Sequence, residues 1–132
     1  MSKTPVQVMQ PRRLPQTVQT LRRFGLFSPS STIPATLTIA PYPSGTSSRI
    51  PRKVGRSVPP LLVPESTTPA KTLARLRKLG ISSPGPFFAA GKAGQVNAAL
   101  FAAACLASGN SKIRRALDSF RARQTASVPL SP

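Results

Sequence analysis

Residues 91–110 read GKAGQVNAALFAAACLASGN, and residues 111–128 continue SKIRRALDSFRARQTASV. Gly91 and Gly94 flank a turn. The alanine-rich run after them, Gln95–Ser108, has high helix propensity because alanine loses no side-chain freedom in a helix. Val96, Leu100, Ala103 and Ala107 form one stripe, while Phe101 and Leu106 make the segment apolar on most sides, the pattern of a helix buried in something larger. Its small side chains permit close approach by a neighbouring helix or sheet. Gly109-Asn110 ends it, and Asn110 or Ser111 is placed to cap the next helix by accepting a bond from an orphan amide. That next helix, Lys112–Ala126, puts Ile113, Leu117, Phe120 and Gln124 on one face, with Arg114, Arg115, Arg121 and Arg123 mostly elsewhere, in solvent. Such a hairpin carries more apolar surface than two helices can cover for each other, so it must dock on something.

Outward from this hairpin the composition changes. The chain has 132 residues, 19 Lys plus Arg, two acids (Glu65 and Asp118) and no histidine, for a formal net charge of +17. Residues 1–89 hold 14 of the 16 prolines and 13 basic residues, whereas residues 90–132 hold Pro129, Pro132 and 6 basic residues. Without histidine, a Ser–His or Cys–His nucleophile and an imidazole base are closed to the chain. One cysteine and two isolated acids assemble neither a zinc site, nor a paired-carboxylate mechanism, nor an intrachain disulfide. No apolar run reaches the roughly 18 residues of a membrane span.

Three segments follow. Residues 1–25 contain a short strand pattern, Val6–Met9, and a short helix, Thr17–Phe24, with Val18, Leu21 and Phe24 in register and Gly25 as its stop. Residues 26–89 are rich in Pro, Ser and Arg and read as largely irregular, the composition expected of an out-of-frame translation. Ser28–Pro60 holds seven prolines, a density of missing donors that argues against a central strand. Leu61-Leu62-Val63 is the one plausible buried-strand fragment there, and Pro69–Leu79, ending at Gly80, is a short helix with Leu73, Leu76 and Leu79 at three-residue spacing. Residues 90–132 are the helical hairpin. Read from residues alone, the chain is mostly irregular with a helical C-terminus.

Gly91-Lys92-Ala93-Gly94, Asn97-Ala98-Ala99-Leu100 and Ala102-Ala103, followed at fixed spacing by Leu117, Phe120-Arg121, Gln124-Thr125 and Val128, resemble one family's ending. That pattern is G-K-A-G-x-x-N-A-A-L-x-A-A and then L-x-x-(F/W)-R-x-x-Q-T-x-x-V. The family is the 5-(carboxyamino)imidazole ribonucleotide mutase of de novo purine synthesis, also called the phosphoribosylaminoimidazole carboxylase catalytic subunit (PurE). Val6–Met9 with Thr17–Gly25, and Leu61–Pro64, are fainter echoes of that family's first strand and helix and of a later strand.

The resemblance implies a flavodoxin-like three-layer α/β fold, a cytoplasmic homo-octamer and an isomerase of IMP biosynthesis. Its reaction is conversion of 5-(carboxyamino)imidazole ribonucleotide to 4-carboxy-5-aminoimidazole ribonucleotide, with no metal or organic cofactor. The family's three active-site loops, G-S-x-S-D, S-A-H-R and A-H-L-P-G, have no counterpart here; Gln10–Leu14 stands where the first belongs. No catalytic, substrate-binding or metal-ligating residue therefore carries over, and the chain is expected to be inactive. Gly91, Asn97 and Gln124 carry over as scaffold positions only.

A second function class fits the charge: a small basic nucleic-acid-binding protein with a disordered N-terminal region. A chain of +17 binds polyanions nonspecifically in any case. Arg12-Arg13, Arg22-Arg23 and Arg49–Arg56 read either as phosphate-tracking segments or as solvated basic loops, the second ahead, and no aromatic stacking pattern is interleaved with them. Cys105, within the apolar helix, is expected to be a buried, inert thiol.

Overall fold

The structure, a computed structural model, describes residues 6–27, 37–42, 60–81, 83 and 85–129. Among these, three strands and four helices occur in the order β1 (Val6–Val8), α1 (Pro15–Arg23), β2 (Leu37–Tyr42), β3 (Leu61–Pro64), α2 (Pro69–Ile81), α3 (Lys92–Ala107) and α4 (Ser111–Ser127). A 3-10 turn, Pro11–Arg13, links β1 to α1. The strands form one parallel sheet in the order β1-β2-β3, and Phe87 adds a single parallel bridge outside β3, at Leu62. The architecture is α/β.

Parallel strands read as continuous apolar runs because both faces are covered. Here Val6, Val8, Ile39, Leu61 and Val63 share a core with Leu21 of α1, the alanines of α3, and Ile113 and Leu117 of α4. The opposite face, Ala40, Tyr42 and Leu62, packs on Leu79 of α2. Helices thus cover both sides. The α3 alanines 98, 99, 102, 103 and 107 are all buried, which brings the α3 backbone close to its neighbours. Val96 and Leu100, expected on the buried stripe, are only half-covered.

Helix ends follow local chemistry. At the end of α1, Gly25 adopts φ +68, its amide bonds the Arg22 carbonyl at 3.1 Å, and the Leu26 amide bonds the Leu21 carbonyl at 2.9 Å. This pair of bonds is the Schellman arrangement, and glycine takes the left-handed position without steric cost. The Asn110 side chain accepts from the amides of Lys112 and Ile113 and starts α4. Of the two capping candidates, Asn110 is the one used. Gly80, expected as a stop, lies inside α2, which continues to Ile81.

The main correction falls within residues 26–89. A proline-bearing segment read as unable to form a central strand is the central strand of the sheet. In a parallel strand, successive residues direct their N–H and C=O groups to opposite neighbours. The Ile39 carbonyl accepts from Met9 at 2.9 Å on the β1 side, and the Tyr42 carbonyl accepts from Glu65 at 3.0 Å on the β3 side. Pro41 therefore faces the β1 side, but β1 pairs only as far as Val8 with Ile39. The Met9 amide closes the last β1–β2 bond, so the donor that proline lacks falls at the end of that ladder, opposite Met9, and not within it. Leu61–Pro64 is a strand, as the sequence indicated, one residue longer. The expectation for 28–36 and 43–59 falls outside the described residues.

Cys105 is a second correction. The buried face of α3 is owned by its alanines, and Cys105, like Phe101 and Ala104, projects from the other side and is exposed.

Candidate ligand cleft at the carboxyl edge of the sheet

In an open parallel sheet each strand runs into a helix whose N-terminus returns over the carboxyl edge, so ligands settle there. A cleft of about 590 Å³ occupies that edge, bounded by Arg13 and Leu14 after β1, Pro64–Thr67 after β3, and Ala90–Lys92 entering α3. Leu14 is the cap position of α1 and Gly91 that of α3. Neither α1, α2 nor α3 has an acidic residue in its first turn, so nothing on those turns opposes the positive ends of the helix dipoles.

The G-K-A-G segment fixes the α3 wall. The Gly91 amide donates to the Pro64 carbonyl at 3.3 Å, with φ +81, which ties the entry of α3 to the last residue of β3. A Cβ at Gly94 would stand 1.5 Å from the Ala89 carbonyl oxygen, so the incoming chain crosses the first turn at a distance that only glycine permits. Lys92 follows directly, lining the cleft.

The remaining charges are held in a network. The Glu65 carboxylate accepts from Arg13, with Nε at 2.7 Å and Nη2 making a second bond. Arg13 Nη1 also donates to the Gln10 side chain at 2.7 Å. From α2, Arg75 donates to the Glu65 carbonyl at 3.1 Å and to the Thr67 hydroxyl at 3.2 Å. Arg13 and Glu65 are 27% and 33% exposed, so the pair keeps access to water and to an incoming anion. The cleft offers cationic side chains, hydroxyls of Ser66 and Thr67, and a side-chain amide from Gln95. That set offers donors suited to an anionic, hydroxyl-bearing group; it supplies no imidazole for proton transfer.

The scaffold positions divide. Gly91 borders this cleft, whereas Asn97 and Gln124 line a separate groove between α3 and α4. Of this lining the sequence marks Arg13, within the basic pair Arg12-Arg13; Glu65, Ser66, Thr67, Lys92 and Gln95 carry no local signal of a site, although Glu65 directly follows the strand fragment and Lys92 sits within G-K-A-G. Comparison with family models and with curated proteins finds no match to this chain. Among the described residues, no helix is long and apolar enough to cross a membrane.

Proposed function

We propose that the chain is a divergent relative of the 5-(carboxyamino)imidazole ribonucleotide mutases, flavodoxin-like in fold, that retains a ribonucleotide cleft and lacks turnover. The observation that supports this reading best is the position of the G-K-A-G segment. It brings Lys92 and the N-terminus of α3 to the carboxyl edge of a parallel sheet, where an anionic group gains from both the ammonium and the aligned amides. Arg13, Ser66 and Thr67 complete a lining suited to phosphate and ribose hydroxyls. The chain has no histidine to move the proton that carboxylate transfer requires.

Titration calorimetry with 5-(carboxyamino)imidazole ribonucleotide, alongside an assay for the 4-carboxy product, tests both halves. Binding that weakens about tenfold or more in Lys92→Glu, with no product formed, is the expected result. Absence of binding, or binding indifferent to Lys92→Glu, removes the ligand assignment. Product formation, or rescue of a purine auxotroph, removes the claim of inactivity.

A further inference from the structure

The sequence shows no aromatic residues interleaved with its basic runs, but folding brings the two kinds together on one side of the molecule. Between α3 and α4 lies a groove of about 630 Å³ lined by Phe88, Phe101 and Phe120, with Asn97, Arg121 and Gln124 at its margins. Phe101 is 42% exposed, supported edge-on by Phe88 at 5.6 Å between ring centroids. Phe120 and Gln124 also line the adjoining depression, whose other walls are Arg23 and Arg123.

Arg22, the neighbour of Arg23 in the last turn of α1, lines a third hollow together with Arg12 and Phe27. Its guanidinium lies 5.2 Å from the centre of the Phe27 ring. Residues 22 and 23 both belong to the outer side of α1, because Thr17, Thr20 and Leu21 take the inner side. The first two depressions share Phe120 and Gln124 and run together as one band, and the third lies apart from it on α1. The band carries Arg23, Arg121 and Arg123 beside Phe101 and Phe120. Neither acid of the chain lines it: Glu65 belongs to the sheet-edge cleft, and Asp118 borders none of the three hollows.

We infer that this band binds single-stranded nucleic acid. A flexible single strand needs cations spaced along its phosphates and apolar ring faces for its unstacked bases, and it tolerates any base order. A duplex hides its bases and uses the charge alone. Exposed Phe101 beside two carboxamides, Asn97 and Gln124, offers a base both a stacking surface and hydrogen-bond partners. The band lies on the α1/α3/α4 side of the sheet. It shares no lining residue with the ribonucleotide cleft and does not depend on it.

Fluorescence anisotropy with a labelled oligouridylate of about 12 nucleotides tests the inference at an ionic strength of about 0.15 M. Total charge is controlled with two double variants that alter it equally. R121E/R123E lies in the band, and R77E/K78E lies on α2 across the sheet. All four residues are exposed. The band variant is expected to weaken binding about tenfold or more, and the α2 variant to change it by less than about threefold. Phe101→Ala should weaken binding about fivefold or more without altering its salt dependence, and Phe101→Trp should restore it.

Equal losses from the two double variants overturn the inference and leave nonspecific attraction to a basic chain. Equally tight binding of a duplex of the same length, or of phosphatidylserine vesicles, does the same. So does sedimentation showing a self-associated chain that Phe101→Ala separates, since a second copy would then be what covers the groove.

Discussion

The main-chain amide of Gln16 donates to the side-chain oxygen of Gln95 at 2.9 Å. The Thr17 hydroxyl returns a bond to the Gln95 carbonyl at 2.8 Å, so the starts of α1 and α3 are fastened together beside the cleft. No side chain of α1's own cap residue, Leu14, serves that first turn. Gln95→Ala should therefore behave as loss of a helix cap and destabilise the fold by about 1 kcal/mol. Gln95→Glu, which keeps the acceptor, should recover it. Urea unfolding measures both, and an unchanged midpoint in Gln95→Ala would show that the Gln95 side chain adds nothing to the packing and the Thr17 bond that join the two helices.

Glycines of α2 and α3 should respond to alanine with opposite sign. At Gly94 the added Cβ meets the Ala89 carbonyl carbon and oxygen, both backbone atoms that cannot swing aside. Gly94→Ala is expected to cost about 3 kcal/mol or more, or to prevent folding. Gly80 is helical with open space around its Cβ direction, so Gly80→Ala should stabilise by about 0.5–1 kcal/mol. Thermal unfolding of the two variants compares them directly; a tolerated Gly94→Ala would mean that the entry to α3 is not held at this distance.

Pro41→Val tests the account of the central strand. If the missing donor lies at the end of the β1–β2 ladder, restoring an N–H gains at most one terminal bond, and stability should rise by no more than about 1.5 kcal/mol. A stabilisation above about 2 kcal/mol would mean that proline interrupts the ladder itself rather than its end.

Glu65→Gln separates stability from binding. The Arg13–Glu65 pair is about one-third exposed, so its loss should cost less than about 1 kcal/mol. Removing the carboxylate leaves the cleft more positive, and inorganic phosphate should bind several-fold more tightly, as calorimetry can read. Weaker phosphate binding in Glu65→Gln would place Glu65 as a support for the site rather than a competitor within it.

The terminal hairpin was legible without coordinates because its signals are local. Alanine propensity, a 3.6-residue rhythm and the Gly109-Asn110 break all act within a few turns, and the observed helices extend the expected ends by only a few residues. The same holds for Gly25 and for Leu61–Val63. Cys105 and the Val96/Leu100 stripe were misplaced for a different reason. Where nearly every residue of a helix is small or apolar, sequence does not rank its faces, and α1 and the sheet chose the alanines.

By itself the sequence determined the charge, the absence of imidazole chemistry, and six of the seven described segments that become helix or strand. Only the tertiary structure decided that Leu37–Tyr42 would stand in the middle of the sheet, since a proline's missing donor matters only if a neighbouring strand is there to face it. It also decided the two surfaces on which the proposals rest. Arg13 and Lys92, or Arg23 and Phe120, come to line one depression only when helices return to a common edge and face, and no local pattern in the chain encodes that separation.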